Sequence, residues 1–110
     1  MALNYKVLGQ AAPSATTETD LYTVAAATQA IVSSITVANR SSSSAATFRI
    51  STSVGGGATA NKDYLVYDAN IAPNGIIILT IGVTLGATDK IRVYGSTANL
   101  SFNAYGSEIA

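Results

Sequence analysis

The chain has 110 residues, six basic and six acidic side chains, and neither histidine, cysteine nor tryptophan. That length suits one domain with a modest core, and with no basic excess to pair with phosphates, neither nucleic acid nor a membrane surface is expected as a partner. Without histidine or cysteine, a disulfide framework is excluded and so are most constellations that do acid–base, nucleophilic or metal chemistry near neutral pH.

Charged residues make up 11% of the chain, against about 25% in an average soluble domain, and 48% is apolar. Serine and threonine supply much of the rest, so a hydroxyl-rich, weakly charged surface is predicted. The opening MALNYKVLGQ has one lysine and a single apolar pair, Val7 and Leu8, so no secretory leader is expected. No apolar run approaches the roughly 18–20 residues that cross a bilayer as a helix.

Residues 3–10 read as a first strand. Residues 11–18, AAPSATTE, are turn-rich, and Pro13 cannot donate to a central ladder. Residues 1–17 are therefore read as an N-terminal arm on a single domain spanning 1–110. A second strand over 19–24 carries Leu21, Tyr22 and Val24, and the Ala-rich residues 25–28 are a link. IVSSITVA, residues 31–38, predicts a strand with Ile31, Ser33, Ile35 and Val37 on one face. NRSSSS, residues 39–44, is expected as an exposed hairpin loop. A strand over 45–53 puts Phe48 and Ile50 on the inner face, and the glycines of 54–61 mark a flexible tip. Residues 62–69 form the next strand, with Tyr64 and Val66 on one side and Leu65 and Tyr67 on the other.

Pro73, Asn74 and Gly75 predict a turn into GIIILTIG, residues 75–82. Here Ile76 and Ile78 fall on one strand face, and Ile77, Leu79 and Ile81 on the other. Apolar side chains on both faces call for cover from two directions. One cover is the core; the other is read as a neighbouring subunit, which makes these five residues the candidate subunit interface. Residues 83–88 are a connector. Residues 90–96 alternate Lys90, Arg92 and Tyr94 outward with Ile91 and Val93 inward. A tight hairpin at 97–99 leads into a last strand over 100–105, with Leu100 and Phe102 on the core, and 106–110 are a short tail. Seven or eight short strands with Gly, Pro, Asn and Ser punctuation predict an all-β fold: an antiparallel β-sandwich, jelly-roll or immunoglobulin-like in topology.

The carboxylates Glu18, Asp20, Asp63, Asp68, Asp89 and Glu108 are scattered, with no EF-hand spacing, and read first as solvated turns and strand ends. GGGATA, residues 55–60, matches G-x-G-x-x-A loosely, but the segment after it predicts a strand where a dinucleotide site needs a helix. The six tyrosines read first as core-edge and cross-strand partners, then as subunit contacts, and last as a sugar-stacking platform. No catalytic residue, cofactor or metal ligand is assigned, and an enzyme is not expected.

MALNYKVLGQ, PSATTETDLYTV, ITVANR and STANLSFNAYGSEI together resemble small virion structural proteins of tailed bacteriophages, including those of cyanophages, over nearly the full length. The resemblance implies a β-rich accessory part of the particle. Its leading form is a capsid decoration, or cement, protein on the outer surface of the head, an oligomer with a trimer as the expected state, bound to the major capsid protein. A tail, neck or baseplate component is the first alternative and a carbohydrate-binding module the second. The arm, with Leu3, Tyr5, Lys6 and Val7, is the candidate shell contact.

Overall fold

A computed structural model describes residues 2–110. Its strands are β1 (Leu3–Ala11), β2 (Thr19–Thr23), β3 (Gln29–Asn39), β4 (Ala46–Ser53), β5 (Tyr64–Ile71), β6 (Ile76–Leu79), β7 (Val83–Leu85), β8 (Lys90–Gly95) and β9 (Leu100–Ile109). Two antiparallel sheets face each other as a β-sandwich. One has the order β1-β9-β3-β6, with β7 also on β3, and the other β2-β8-β4-β5. Because β6 and β7 pair with successive stretches of the same edge of β3, they act as one strand, interrupted where Gly82 takes a φ of 54°. Counted so, the first strand pairs with the last, the second with the second-last, and so inward to the β4–β5 hairpin. One long antiparallel hairpin has been rolled over on itself, which is the jelly-roll connectivity.

Six of the eight connections cross from one sheet to the other. The segments predicted as hairpin loops, residues 39–44 and 97–99, fall at such crossings, and so does the turn at Pro73, Asn74 and Gly75. Turn chemistry reports that a chain changes direction, and the composition of the loop does not say onto which sheet it returns. The core between the sheets is apolar and close-packed: Phe48 meets Phe102 edge to face at 6.2 Å, among Val32, Ile35, Val37, Ile50, Ile91 and Val93.

Several predicted boundaries shift. Residues 3–11 are a sheet-edge strand hydrogen-bonded along β9, not a free arm. Val83–Leu85 is a strand rather than a connector, and β9 runs to Ile109 through the predicted tail. Ile31 does not share a face with Ile35. A bulge between Val32 and Ser34 turns the strand over, so Val32, Ile35 and Val37 are buried while Ile31 faces out. Bulges in the β4–β5 pairing likewise separate Val66, opposite Ile50, from Tyr64, opposite Ser51.

One end of the sandwich is held by a buried amide. Asn39 Nδ2 donates to the carbonyl oxygens of Ser44 (2.9 Å), Ala72 (3.2 Å) and Ile71 (3.3 Å), and Asn39 Oδ1 accepts from the Ser41 amide at 3.1 Å. The Arg40 amide donates to the Asn99 carbonyl at 2.8 Å. Two crossings thus meet at Asn39, only 3% exposed, where water cannot replace a lost bond, and a third is tied to its neighbour Arg40. Replacing Asn39 with Ala is expected to lower the unfolding free energy by about 1–3 kcal/mol, because buried carbonyls lose their donor. Urea denaturation of the variant beside the parent chain measures this.

Candidate functional site

Residues opposite one another in adjacent strands share a sheet face, so the register assigns every strand side chain to the core or to an outer surface. The two outer surfaces differ in kind. On the four-stranded sheet the outward positions carry charge, paired throughout. Asp20 accepts from Lys90 Nζ (2.8 Å) and Arg92 Nε (3.1 Å), and the Lys90 bond above all holds its carboxyl below the usual aspartate value. Arg49 donates to Asp68 at 2.7 Å and lies 4.4 Å from the ring centres of both Tyr67 and Tyr94. Tyr64 packs edge to face on Tyr67. Arg92 also donates to the carbonyls of Gly56 and Gly57 and to the hydroxyls of Ser53 and Thr59. The glycine loop expected to be a mobile tip is therefore tied to β8, and it leads through a single 3-10 turn into strand β5, without the helix of a dinucleotide site.

On the five-stranded sheet no outward strand position is charged. Across β1, β9, β3 and β7, one row reads Tyr5, Ser107, Ile31, Thr84. The next row toward the chain termini is Leu3, Ile109 and Gln29, and on the other side come Val7, Tyr105 and Ser34. Farther along, Gln10 Nε2 donates to Asn103 Oδ1 at 2.8 Å, and Ala38 and Thr36 stand beside Ile76 and Ile78. Tyr5 is 80% exposed, Ile76 64%, Ile78 62% and Ile31 43%. An open hollow of about 380 Å³ lies at the β3–β7 end of this face, lined by Gln29, Ala30, Ile31, Thr84, Leu85, Gly86 and Ile109.

The candidate interface residues divide along this register. Ile76 and Ile78 do face outward, but Ile77 and Leu79 oppose Val37 and Ile35 and pack on the core. Ile81 lies beyond the end of β6, half exposed. Of the candidate shell-contact residues, Leu3, Tyr5 and Val7 share the outer face, whereas Lys6 points the other way, with Nζ 2.8 Å from Glu108 Oε1. Ile31, Thr84, Tyr105 and Ile109 were not predicted on this surface. The usable signal was LNYKV itself, where the apolar alternation of β1 belongs to the solvent side.

Lys6 and Glu108 form a triad with Tyr22, whose hydroxyl donates to Glu108 from the opposite sheet. The Lys6 ammonium first, and then the Tyr22 hydroxyl, hold the Glu108 carboxyl below its ordinary value; burial, reinforced by the Glu108 charge, pushes the Tyr22 phenol up. Among the described residues there is no group of three or more His, Cys, Asp or Glu side chains placed to hold a metal ion, and no helix is long and apolar enough to cross a membrane. The candidate site is the surface formed by the outward side chains of the five-stranded sheet.

A lowered carboxylate pKa stabilises the fold above the unfolded value of 4.5, and that contribution is lost as pH falls through the folded value; a raised phenol stabilises below pH 10 and loses its contribution as pH rises above that. Glu108→Gln is therefore expected to flatten part of the acid limb of stability against pH. Tyr22→Phe should flatten part of the alkaline limb and cost about 1.5–3 kcal/mol at neutral pH, as for a hydrogen bond to a charged group. Urea midpoints across the pH range for both variants test the two signs separately. In comparisons with known proteins, no family model matches this chain and no curated protein matches it.

Proposed function

We propose that this chain is a structural part of a tailed-bacteriophage virion, in its leading form a decoration protein that binds the outer shell of the head as an oligomer and stabilises it. The observation that carries this reading is the outer face of the five-stranded sheet, where exposed Ile76, Ile78, Tyr5 and Ile31 sit among hydroxyl and amide groups with no charge. Large exposed apolar side chains on an uncharged face suit a contact surface. The near full-length resemblance to phage virion proteins supplies the setting. The serine-rich crossing at residues 41–44, with its neighbours at 73–75 and 97–99, forms a polar end suited to the shell.

Binding to the closed, expanded shell and not to its dissociated parts stabilises the shell by mass action, and several linked copies do so more strongly than one. No reaction is required. A glycan-stacking reading has less support, because the Arg49 guanidinium already lies against the rings of Tyr67 and Tyr94.

Immunogold labelling of intact source phage tests the assignment. Gold over the head is the expected result, and shells assembled with the protein should then resist heating better than shells without it. Gold at the neck or tail would move the protein to a tail-assembly role, and unlabelled particles would overturn the virion reading.

A further inference from the structure

We infer that the outer face of the five-stranded sheet binds a second copy of this chain across a two-fold axis, with Tyr5 of each copy seated in the partner's hollow. This inference rests on the assembly reading above and names its self-contact.

Three observations point to a second copy. First, the twelve charged residues of the chain leave this face empty. Strand charges pair on the other sheet's outer face or, as Lys6 with Glu108, on the inward side; the rest lie in loops and crossings. A basic or acidic partner would find nothing complementary here, whereas a copy of the same face meets no like charge.

Second, the face carries a knob and a hollow at opposite ends of one row. Tyr5, on β1, is the knob. Ile31 and Thr84, on β3 and β7, line the hollow, and small Ser107 lies between. Strands are spaced about 4.8 Å apart, so Tyr5 and Ile31 stand about 10 Å apart on either side of β9. A two-fold axis running along β9 exchanges them, placing each Tyr5 over the partner's Ile31. An isologous contact requires this reciprocity, residue i on j and j on i. A three-fold ring would need knob and hollow on surfaces turned about 120° from one another, and here they share one face.

Third, the overlap is that of a small specific contact. A two-fold axis along β9 overlaps β1, β9 and β3 of both copies, a patch about 15 Å wide and about 30 Å long, which is at the lower end of the range for specific contacts. Tyr5, about 5 Å from the axis and set on the partner's Ile31, is the kind of aromatic anchor on which binding energy concentrates.

The absence of native cysteine allows a direct test. Two singly substituted chains, Tyr5→Cys and Ile31→Cys, are mixed with a short bis-maleimide that spans about 10 Å, the separation of stacked sheets. The expected result is a covalent heterodimer from the mixture, with less from either variant alone, since residue 5 faces residue 31 of the partner directly and its own counterpart only diagonally, about 14 Å away. Light scattering of the unmodified chain should give a dimer. Tyr5→Asp, at a position too exposed to affect folding, should raise the dimer Kd at least about tenfold. A monomer at every concentration would overturn the contact, and so would a dimer untouched by Tyr5→Asp with no cross-link in the mixture. Either failure leaves gold labelling of the phage to decide the virion reading independently. Conversely, a cross-linked dimer with no label on particles keeps the contact and removes the virion role.

Discussion

β3 and β9 pair along almost their whole lengths, and the rest of the five-stranded sheet hangs on that seam. β1 is held only through β9, while β6 and β7 are held only through β3. The seam is not a uniform ladder. At the bulge between Val32 and Ser34 the β9 backbone presses close to β3, and a Cβ on Gly106 would stand 2.0 Å from the Ile31 carbonyl oxygen. β1 also has a bulge, between Val7 and Gly9, where a Cβ on Gly9 would stand 2.0 Å from the carbonyl oxygen of Leu21, on β2 of the opposite sheet. Bulge and glycine belong together: the extra residue twists the strand, and the missing side chain lets the neighbouring backbone approach.

These two bulges decide what the outer surface is made of. On the crossing side of them, the buried positions of β3 and β9 are Ile35, Val37, Phe102 and Ala104, and the outward ones are polar or small. On the terminal side the faces trade places in β1 and β3, so Leu3, Tyr5, Val7 and Ile31 turn to solvent. The four-stranded sheet keeps simple alternation along β8, with Ile91 and Val93 inside and Lys90, Arg92 and Tyr94 outside. A single sandwich thereby presents one charged, internally paired surface and one uncharged surface.

Where alternation runs unbroken, the strands were legible from the residues: β8, most of β4 and the start of β9 follow the period-two pattern. The all-β class and the sandwich followed from that pattern and from the turn residues. What escaped the sequence had specific causes. A bulge leaves no mark at Ser33 beyond two adjacent serines, so Ile31 reads as inward. Gly106 reads as the start of a tail, although its glycine is demanded by a close approach within the strand. The tight-turn composition of residues 73–75 and 97–99 is the same whether the chain returns to its own sheet or crosses to the other. The double apolar character of 76–79 was visible, and its division into core-facing Ile77 and Leu79 and outward Ile76 and Ile78 needed only the register against β3.

The outward apolar register of β1 is held in place by the polar side chains opposite it. Shifting a strand by one residue carries its whole side-chain set to the other face, so a slip in β1 would bring Leu3, Tyr5 and Val7 inward and shed apolar exposure. The same slip would pull Lys6 away from Glu108, and Glu108 is the group through which Tyr22 reaches across from the four-stranded sheet. With its counter-ion gone, a carboxylate in mostly buried surroundings would be left with one neutral donor, a costly arrangement. The triad thus fixes the register in which a free subunit is least well covered. A strand locked so that its tyrosine, leucine and valine face water forgoes the burial a slip would give, and the ion pair and the cross-sheet hydrogen bond are what offset that loss.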